Sequence, residues 1–283
     1  MIVAVSPYGG FIAAIRDEKK FTRVQTSGKP VIFIFNSAGS LVGSIKWSSG
    51  SIFCLDWSNT EDLLCIQEDG SVLVYDIWGN YQRVFSMGQE AKDSKIIDAR
   101  TFDSCAGTGI AILTTSFRFF AVNDVTTPRI RKMAGTLDLN SPPSAWAVLS
   151  EERSTHVFVA KEKNLYLLDQ YETSATLLQP QFNSNYLSIT AICVSPSKRH
   201  IALLAETGHL WIGNAACSTK YCEIDTQTME PPRQVMWCGS NAVVLNLNGL
   251  LLVFSPHKDQ FSLVIDGPCV LGSEVDGVRV LTS

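Results

Sequence analysis

The chain has 283 residues, 23 lysines and arginines against 27 acids, a formal net charge of −4, and 46% apolar residues. That length buries a large core, either as two ordinary domains or as one large all-β or barrel domain. The longest basic run is "RIRK" at Arg129–Lys132. A slightly acidic chain with one such solvated run excludes nucleic acid as a main partner, because phosphate neutralisation needs a basic surface.

In chain order the apolar runs are short and rich in β-branched and aromatic residues: "VIFIF" from Val31, "SVLVY" from Ser71, "IAILTT" from Ile110, "HVFVA" from His156, "LYLL" from Leu165, "IALLA" from Ile201, "AVVLNL" from Ala242 and "LLLVF" from Leu250. Tight-turn pairs separate several of them, "DG" at 69–70, "TG" at 207–208 and "NG" at 248–249, and such pairs predict hairpins. Glu68 and Asp69 therefore read as the polar corner of a reversal rather than as catalytic carboxylates. The stretch "GQEAKDSKIIDAR" from Gly88 holds one predicted helical turn before a strand.

The hairpins repeat. "WSNTEDLLCIQEDGSVLVYD" from Trp57 aligns with "VSPSKRHIALLAETGHLWIG" from Val194, and "VSPYGGFIAAI" from Val5 repeats the opening. Taking Trp57, Phe102, Leu149, Val194 and Trp237 as equivalent gives spacings of about 43–47 residues, the period of β-propeller blades. Each unit reads strand, turn, strand, tight turn, strand, then a weaker outer strand such as "YQRVFSM" or "KYCEID". Central runs that are apolar at consecutive positions need cover on both faces. The connections are too short for crossover helices, and a sandwich buries only one face of each sheet. Sheets stacked in a ring meet the requirement, so the predicted fold is an all-β β-propeller. About five full units and partial ones at both ends make one domain over residues 1–283, an incomplete part of a seven-bladed ring.

Candidate chemistry is sparse. The eight cysteines (Cys54, Cys65, Cys105, Cys193, Cys217, Cys222, Cys238, Cys269) form no CxxC pair, and most sit in apolar runs as small hydrophobes. His156, His200, His209 and His257 lack HxxxH or HExxH spacing, so no metal site is expected. No P-loop, G-x-G-x-x-G or G-x-S-x-G occurs, and no cofactor is expected. "HKD" at His257–Asp259 is contiguous, unlike the spaced phospholipase D motif, and reads as a polar loop. "DIWG" at Asp76–Gly79 does not match a WD-repeat signature. Ser6, Ser58, Ser150 and Ser195 recur at the end of each unit's first strand, where a hydroxyl bonds the loop backbone that follows. Trp47, Trp57, Trp78, Trp146, Trp211 and Trp237 fall mostly in strands and read as packing between units. No signal-type leader and no membrane-length apolar run is present, which places the chain in a reducing, cytoplasmic compartment. No catalytic, cofactor or metal residue is assigned, and no protein-binding residue can be named.

Several blocks together carry a specific likeness. "PYGGFIAAIR" (Pro7–Arg16), "LLCIQEDGSVLVY" (Leu63–Tyr75), "FSMGQE" (Phe85–Glu90), "PPRQVMWCG" (Pro231–Gly239) and "EVDGVRVLTS" (Glu274–Ser283) resemble, in order and spacing, the N-terminal region of the vacuolar protein sorting-associated protein 16 family. The resemblance implies an N-terminal propeller that precedes an α-solenoid lacking from this chain, with extra residues before "YGG" that complete the first blade. It also implies a class C core subunit of the HOPS and CORVET tethering complexes, non-enzymatic, and peripheral on late endosome and lysosome or vacuole membranes. Expected partners are the other subunits, including a Sec1/Munc18-type subunit on the solenoid, and indirectly SNAREs and Rab GTPases. The competing expectation is a propeller-fold hydrolase or carbohydrate-processing enzyme.

Overall fold

The computed structural model describes residues 1–16, 29–133, 137, 139–152, 154–228 and 230–282. It resolves into two compact units, Met1–Arg131 and Lys132–Ser283.

In the first unit, β1 (Ile2–Val5), β2 (Ile12–Ile15), β3 (Val31–Phe35) and β4 (Leu41–Lys46) form an antiparallel sheet in chain order. The second sheet follows the same plan with β5 (Ile52–Trp57), β6 (Leu63–Gln67), β7 (Ser71–Tyr75) and β8 (Tyr81–Ser86). A short helix, α1 (Gln89–Ser94), leads into the third, made of β9 (Ile96–Ser104), β10 (Gly107–Thr114), β11 (Phe119–Val122) and β12 (Arg131–Lys132).

In the second unit, one sheet holds β13 (Ala145–Ser150), β14 (Thr155–Lys161), β15 (Asn164–Asp169) and β16 (Thr176–Leu178). The next holds β17 (Ile189–Val194), β18 (His200–Ala205), β19 (His209–Asn214) and β20 (Lys220–Asp225). It is followed by β21 (Gln234–Cys238), β22 (Ala242–Asn246), β23 (Leu250–Phe254) and β24 (Gln260–Val264), then by a pair, β25 (Cys269–Ser273) and β26 (Val278–Thr282).

The consecutive apolar runs are explained by what lies on either side of them. Strand side chains alternate between faces, and every residue of β6 is buried. Its Leu63 and Cys65 pack with Ile32, Ile34 and Trp47 of the first sheet, while Leu64 and Ile66 pack with Ile110, Ile112 and Val122 of the third. β18 does the same in the second unit. Ile201 and Leu203 meet Phe158 and Leu165, and Ala202 and Leu204 meet Trp237, Val243 and Leu245. Within each unit a core thus lies between successive sheets, and each buried Leu or Ile contributes roughly 1.5–3 kcal/mol.

Among the described residues there are six four-stranded sheets and one two-stranded sheet, which corrects the expectation of about five full units. Residues 2–46 form the four strands of the first sheet, with β1 lying before "YGG" and β2 to β4 after it. The polar stretch between "FIAAI" and "VIFIF" broke the sequence period and hid the second half of that sheet.

Candidate functional site

The polar residues that recur in the sequence are committed to turns. Ser58 is fully buried, and its Oγ accepts the N–H of Asp62 at 2.9 Å and lies 2.9 Å from the Thr60 hydroxyl. Ser195 accepts the His200 N–H at 3.1 Å and meets Ser197 at 3.0 Å. Ser150 contacts the Thr155 hydroxyl at 3.2 Å, and Ser6 is buried at the equivalent turn, its N–H donating to Phe11 O. A second set closes the third-to-fourth strand turns. Asn36, Asp76 and Asn214 each accept two backbone N–H groups on one side-chain oxygen. Ser255 does this where "HKD" was read as a loop, accepting from His257 and Asp259 at 3.1 and 3.2 Å.

Asp69 and Glu68 lie in the β6–β7 turn. Asp69 accepts the Ser71 N–H at 2.9 Å, and Gly70 at φ 79° closes the reversal. That φ lies in the left-handed region that glycine enters without a Cβ clash.

The tryptophans join neighbouring sheets. Trp57 Nε1 donates to Ala4 O at 3.3 Å, and Trp237 Nε1 donates to Cys193 O at 2.9 Å. Ala4 and Cys193 each stand two residues before the recurrent serine of the preceding sheet, so the two contacts are equivalent. Trp78 differs and is 61% exposed.

One inner-strand acid has perturbed chemistry. Burial pushes the Asp56 carboxyl above its usual range, while the Thr101 hydroxyl at 2.5 Å and the Trp57 N–H pull the other way. Because Thr101 lies on β9, this bond fastens β5 to the next sheet. All eight cysteines are free. Burial pushes the Cys217 thiol up to about 12 and raises Cys54, Cys65 and Cys222 as well, so these thiols are poor nucleophiles. Among the described residues no group of three or more His, Cys, Asp or Glu converges to hold a metal ion.

Two arrangements escaped the sequence reading. Ser154 Oγ lies 2.7 Å from His156 Nε2, and His156 Nδ1 lies 3.0 Å from Asp169 Oδ2. Strand alternation carries the Ser-x-His spacing, and the β14–β15 register sets Asp169 opposite His156. The register was invisible before the sheet was known. The second is a clamped loop before β17. Glu223 accepts the N–H groups of Asn183 and Ser184 at 2.7 and 3.0 Å and pairs with Lys220 at 3.0 Å. Glu206 accepts those of Leu187 and Ser188 at 2.5 and 2.7 Å. The loop holds Leu187 out at 79% exposure, beside a groove of about 330 Å³ lined by Lys163, Leu177, Pro180, Ser184 and Tyr186.

Burial works to raise the Glu223 carboxyl, but the donors from Asn183, Lys220 and Ser184 outweigh it and hold the group at about 2. A folded value below the unfolded one stabilises the protein above the unfolded pKa of about 4.3. That contribution is lost as pH falls through the folded value. Amide exchange at residues 183–188 is therefore expected to lose protection, relative to β18, as pH drops from about 4.5 towards 2. In Glu223→Gln the loop is expected to be less protected at pH 7 and to show a weaker acid response. An unchanged profile in that variant would show that other groups hold the loop.

The description "Vps16, N-terminal region" fits a family model that matches residues 1–283. The chain belongs to the Vps16 family. It is 34% identical to the vacuolar protein sorting-associated protein 16 homolog of Drosophila melanogaster, over 100% of this chain and 34% of that protein. The Dictyostelium discoideum homolog is 26% identical over 98% of the chain, and Arabidopsis thaliana Protein VACUOLELESS1 is 25% identical over 99%. The chain spans about a third of the length of these relatives.

Two solved structures share the fold. The Cps50 (Swd1) β-propeller domain of Myceliophteria thermophila superposes with a TM-score of 0.62 at 12% identity, over 96% of this chain and 88% of that one. BBS1N, crystallised in complex with ARL6DN, gives 0.62 at 12% identity over 99% and 90%. The Vps16-family chain is thus all-β with the β-propeller fold. No described helix is long and apolar enough to cross a membrane.

Proposed function

We propose that this chain is the propeller of a non-enzymatic scaffold subunit in the class C core of the HOPS and CORVET tethering complexes. It acts in vesicle tethering and fusion from the cytoplasmic side of late endosome and lysosome or vacuole membranes. The observation that carries this reading is the family match across residues 1–283. The geometry supports it: Ser58, Ser195 and the turn acids Asp69 and Asp76 bond the backbone, and the thiols that burial raises lie inside strands or, for Cys217, buried in the β19–β20 turn. The mechanism is positional. Rigid stacked sheets present loops and outer strands to protein partners, and an assembly that holds two membranes together raises the effective concentration of the fusion machinery.

The direct partners are other tethering subunits. The Sec1/Munc18-type subunit binds the solenoid of the longer relatives, and SNAREs and Rab GTPases are reached through the complex. Immunoprecipitation from cells of the full-length protein that carries this region is expected to recover class C core subunits. Recovery of none would overturn the assignment.

The Ser154–His156–Asp169 line gives the hydrolase reading its one structural support, because its side chains stand in the order of a nucleophile, base and orienting acid, with Ser154 bonded to His156 Nε2 and Asp169 3.0 Å from a His156 Nδ1 that makes no hydrogen bond. It lies on a strand and its turn, with the acidic Glu151 and Glu152 just before it in sequence. An oxyanion needs preorganised donors instead of neighbouring carboxylates. A fluorophosphonate is accordingly expected to leave Ser154 unlabelled by peptide mass spectrometry. A stoichiometric adduct lost in His156→Gln would establish the enzymatic reading.

A further inference from the structure

Five serine or threonine residues are followed directly by proline: Ser6, Thr127, Ser141, Ser195 and Ser255. That pair is what a proline-directed protein kinase reads. Its pocket for the following residue suits a ring without a backbone N–H, because an N–H buried there goes unsatisfied. Such a kinase also needs the acceptor hydroxyl on an accessible stretch that can lie extended in its cleft. Lysine or arginine beyond the proline improves the fit.

By sequence Ser195 and Ser255 are the best acceptors, since Lys198 and Lys258 stand three residues after them. The fold removes both. Ser195 is 2% exposed, and its Oγ accepts the His200 N–H. Ser255 is half-buried in the β23–β24 turn, where its Oγ accepts the N–H groups of His257 and Asp259 and Lys258 turns the chain at φ 70°. Ser6 is fully buried. Ser141 is exposed, but Pro142, Pro143 and Ser144 bring no base. Thr127 lies between β11 and β12, where residues 126–132 are all exposed and 128–130 hold no regular structure. Arg129, Arg131 and Lys132 follow its proline.

The Thr127 hydroxyl already has a partner. Thr126 N–H donates to Asp124 Oδ1 at 2.8 Å, and the hydroxyls of Thr126 and Thr127 each donate to the same carboxylate at 2.6 Å. Burial works to raise the Asp124 carboxyl, but these donors outweigh it and hold the group below its usual range. Asp124 is therefore charged at pH 7. We propose that Thr127 is the phosphoacceptor of this region for a proline-directed serine/threonine kinase, and that its phosphate releases the Asp124 cap. The kinase moves the γ-phosphoryl group of ATP. A P–O bond to Thr127 Oγ1 forms as the bond to the bridging oxygen breaks, ADP leaves, and the hydroxyl proton passes to the kinase's catalytic aspartate. The product carries a charge of about −1.5 to −2 at pH 7. It no longer donates to Asp124, repels that carboxylate, and turns towards the Arg129 guanidinium.

The full-length protein that carries this region, incubated in turn with a purified mitogen-activated kinase and a cyclin-dependent kinase and MgATP, tests this. Peptide mass spectrometry should find phosphate on Thr127 at least about ten-fold faster than on Ser195 or Ser255, because a buried acceptor reacts only in its locally opened fraction. In synthetic peptides spanning each site the cyclin-dependent kinase should reverse that order, since the downstream lysines then decide. Thr127→Val and Pro128→Ala should each abolish labelling at residue 127, with circular dichroism confirming that both variants fold. Phosphate that reaches Ser141, Ser195 or Ser255 of the folded protein ahead of Thr127 overturns the assignment, as does a folded protein that neither kinase labels. Amide exchange over residues 125–131 should rise on phosphorylation, and rise less in Thr127→Val, which loses the bond without gaining charge. Unchanged exchange in the phosphorylated protein overturns the release of the cap.

Discussion

Trp237→Ala is expected to cost about 3–5 kcal/mol of stability, the range for deleting a fully buried large aromatic. Trp237 is 1% exposed and packs with Ala202, Leu204, Leu245 and Phe254 between two sheets. Its indole N–H is also a tether, since it donates to the Cys193 carbonyl of the neighbouring sheet at 2.9 Å. Alanine removes the packing, the tether and the partner of a carbonyl at once. Trp237→Phe keeps most of the packing, so its cost separates the tether from the volume and should be about 1–2 kcal/mol. Trp211→Phe is the control. Trp211 is fully buried, but its Nε1 has no hydrogen-bond partner, so phenylalanine removes volume without breaking a bond and also removes an unsatisfied donor. Urea denaturation followed by far-ultraviolet circular dichroism reads all three variants. If Trp211→Phe costs as much as Trp237→Phe, the bond to Cys193 contributes nothing and ring size alone matters.

The equivalence of Trp57 and Trp237 illustrates what could be read before any coordinates. Both open the same unit at a spacing set by the repeat, and both bond to the carbonyl two residues before a recurrent serine. That regularity was legible because apolar periodicity and turn chemistry are local properties of the chain. Asp69, Gly70 and Ser58 were legible for the same reason, since a turn acid, a glycine at positive φ and a hydroxyl cap act within a few residues. The number of four-stranded sheets was not, because the polar stretch after Arg16 carries no periodic signal and separates the halves of the first sheet. Features that depend on register were hidden too. Asp169 faces His156 only because β14 and β15 pair as they do. The clamp of Glu206 and Glu223 joins residues up to 40 positions apart.

Gly213→Ala should be the most damaging single-methyl change in the second unit, at about 3 kcal/mol, the upper end of the overpacking range. Gly213 lies at the register shift between β19 and β20 and is opposite Lys220. A Cβ there would run into the Trp211 ring on one side and the Thr219 carbonyl on the other. The ring is held by Phe182, whose centroid lies 6.3 Å away, and the carbonyl accepts the Asn214 N–H at 3.0 Å. Neither can yield without a further loss. Gly109 shows the same logic in the first unit, where the cross-strand Phe102 ring occupies the space a Cβ would need. Gly39 provides the contrast. Its φ is +78°, so alanine is strained there, but no heavy atom lies within 4 Å of the added methyl. The expected cost at Gly39 is therefore backbone strain alone, about 1–2 kcal/mol. Unfolding midpoints of the three alanine variants should place Gly213 and Gly109 clearly below Gly39. If Gly39→Ala proved the worst of the three, backbone conformation rather than close approach between chain segments would govern glycine use in these sheets.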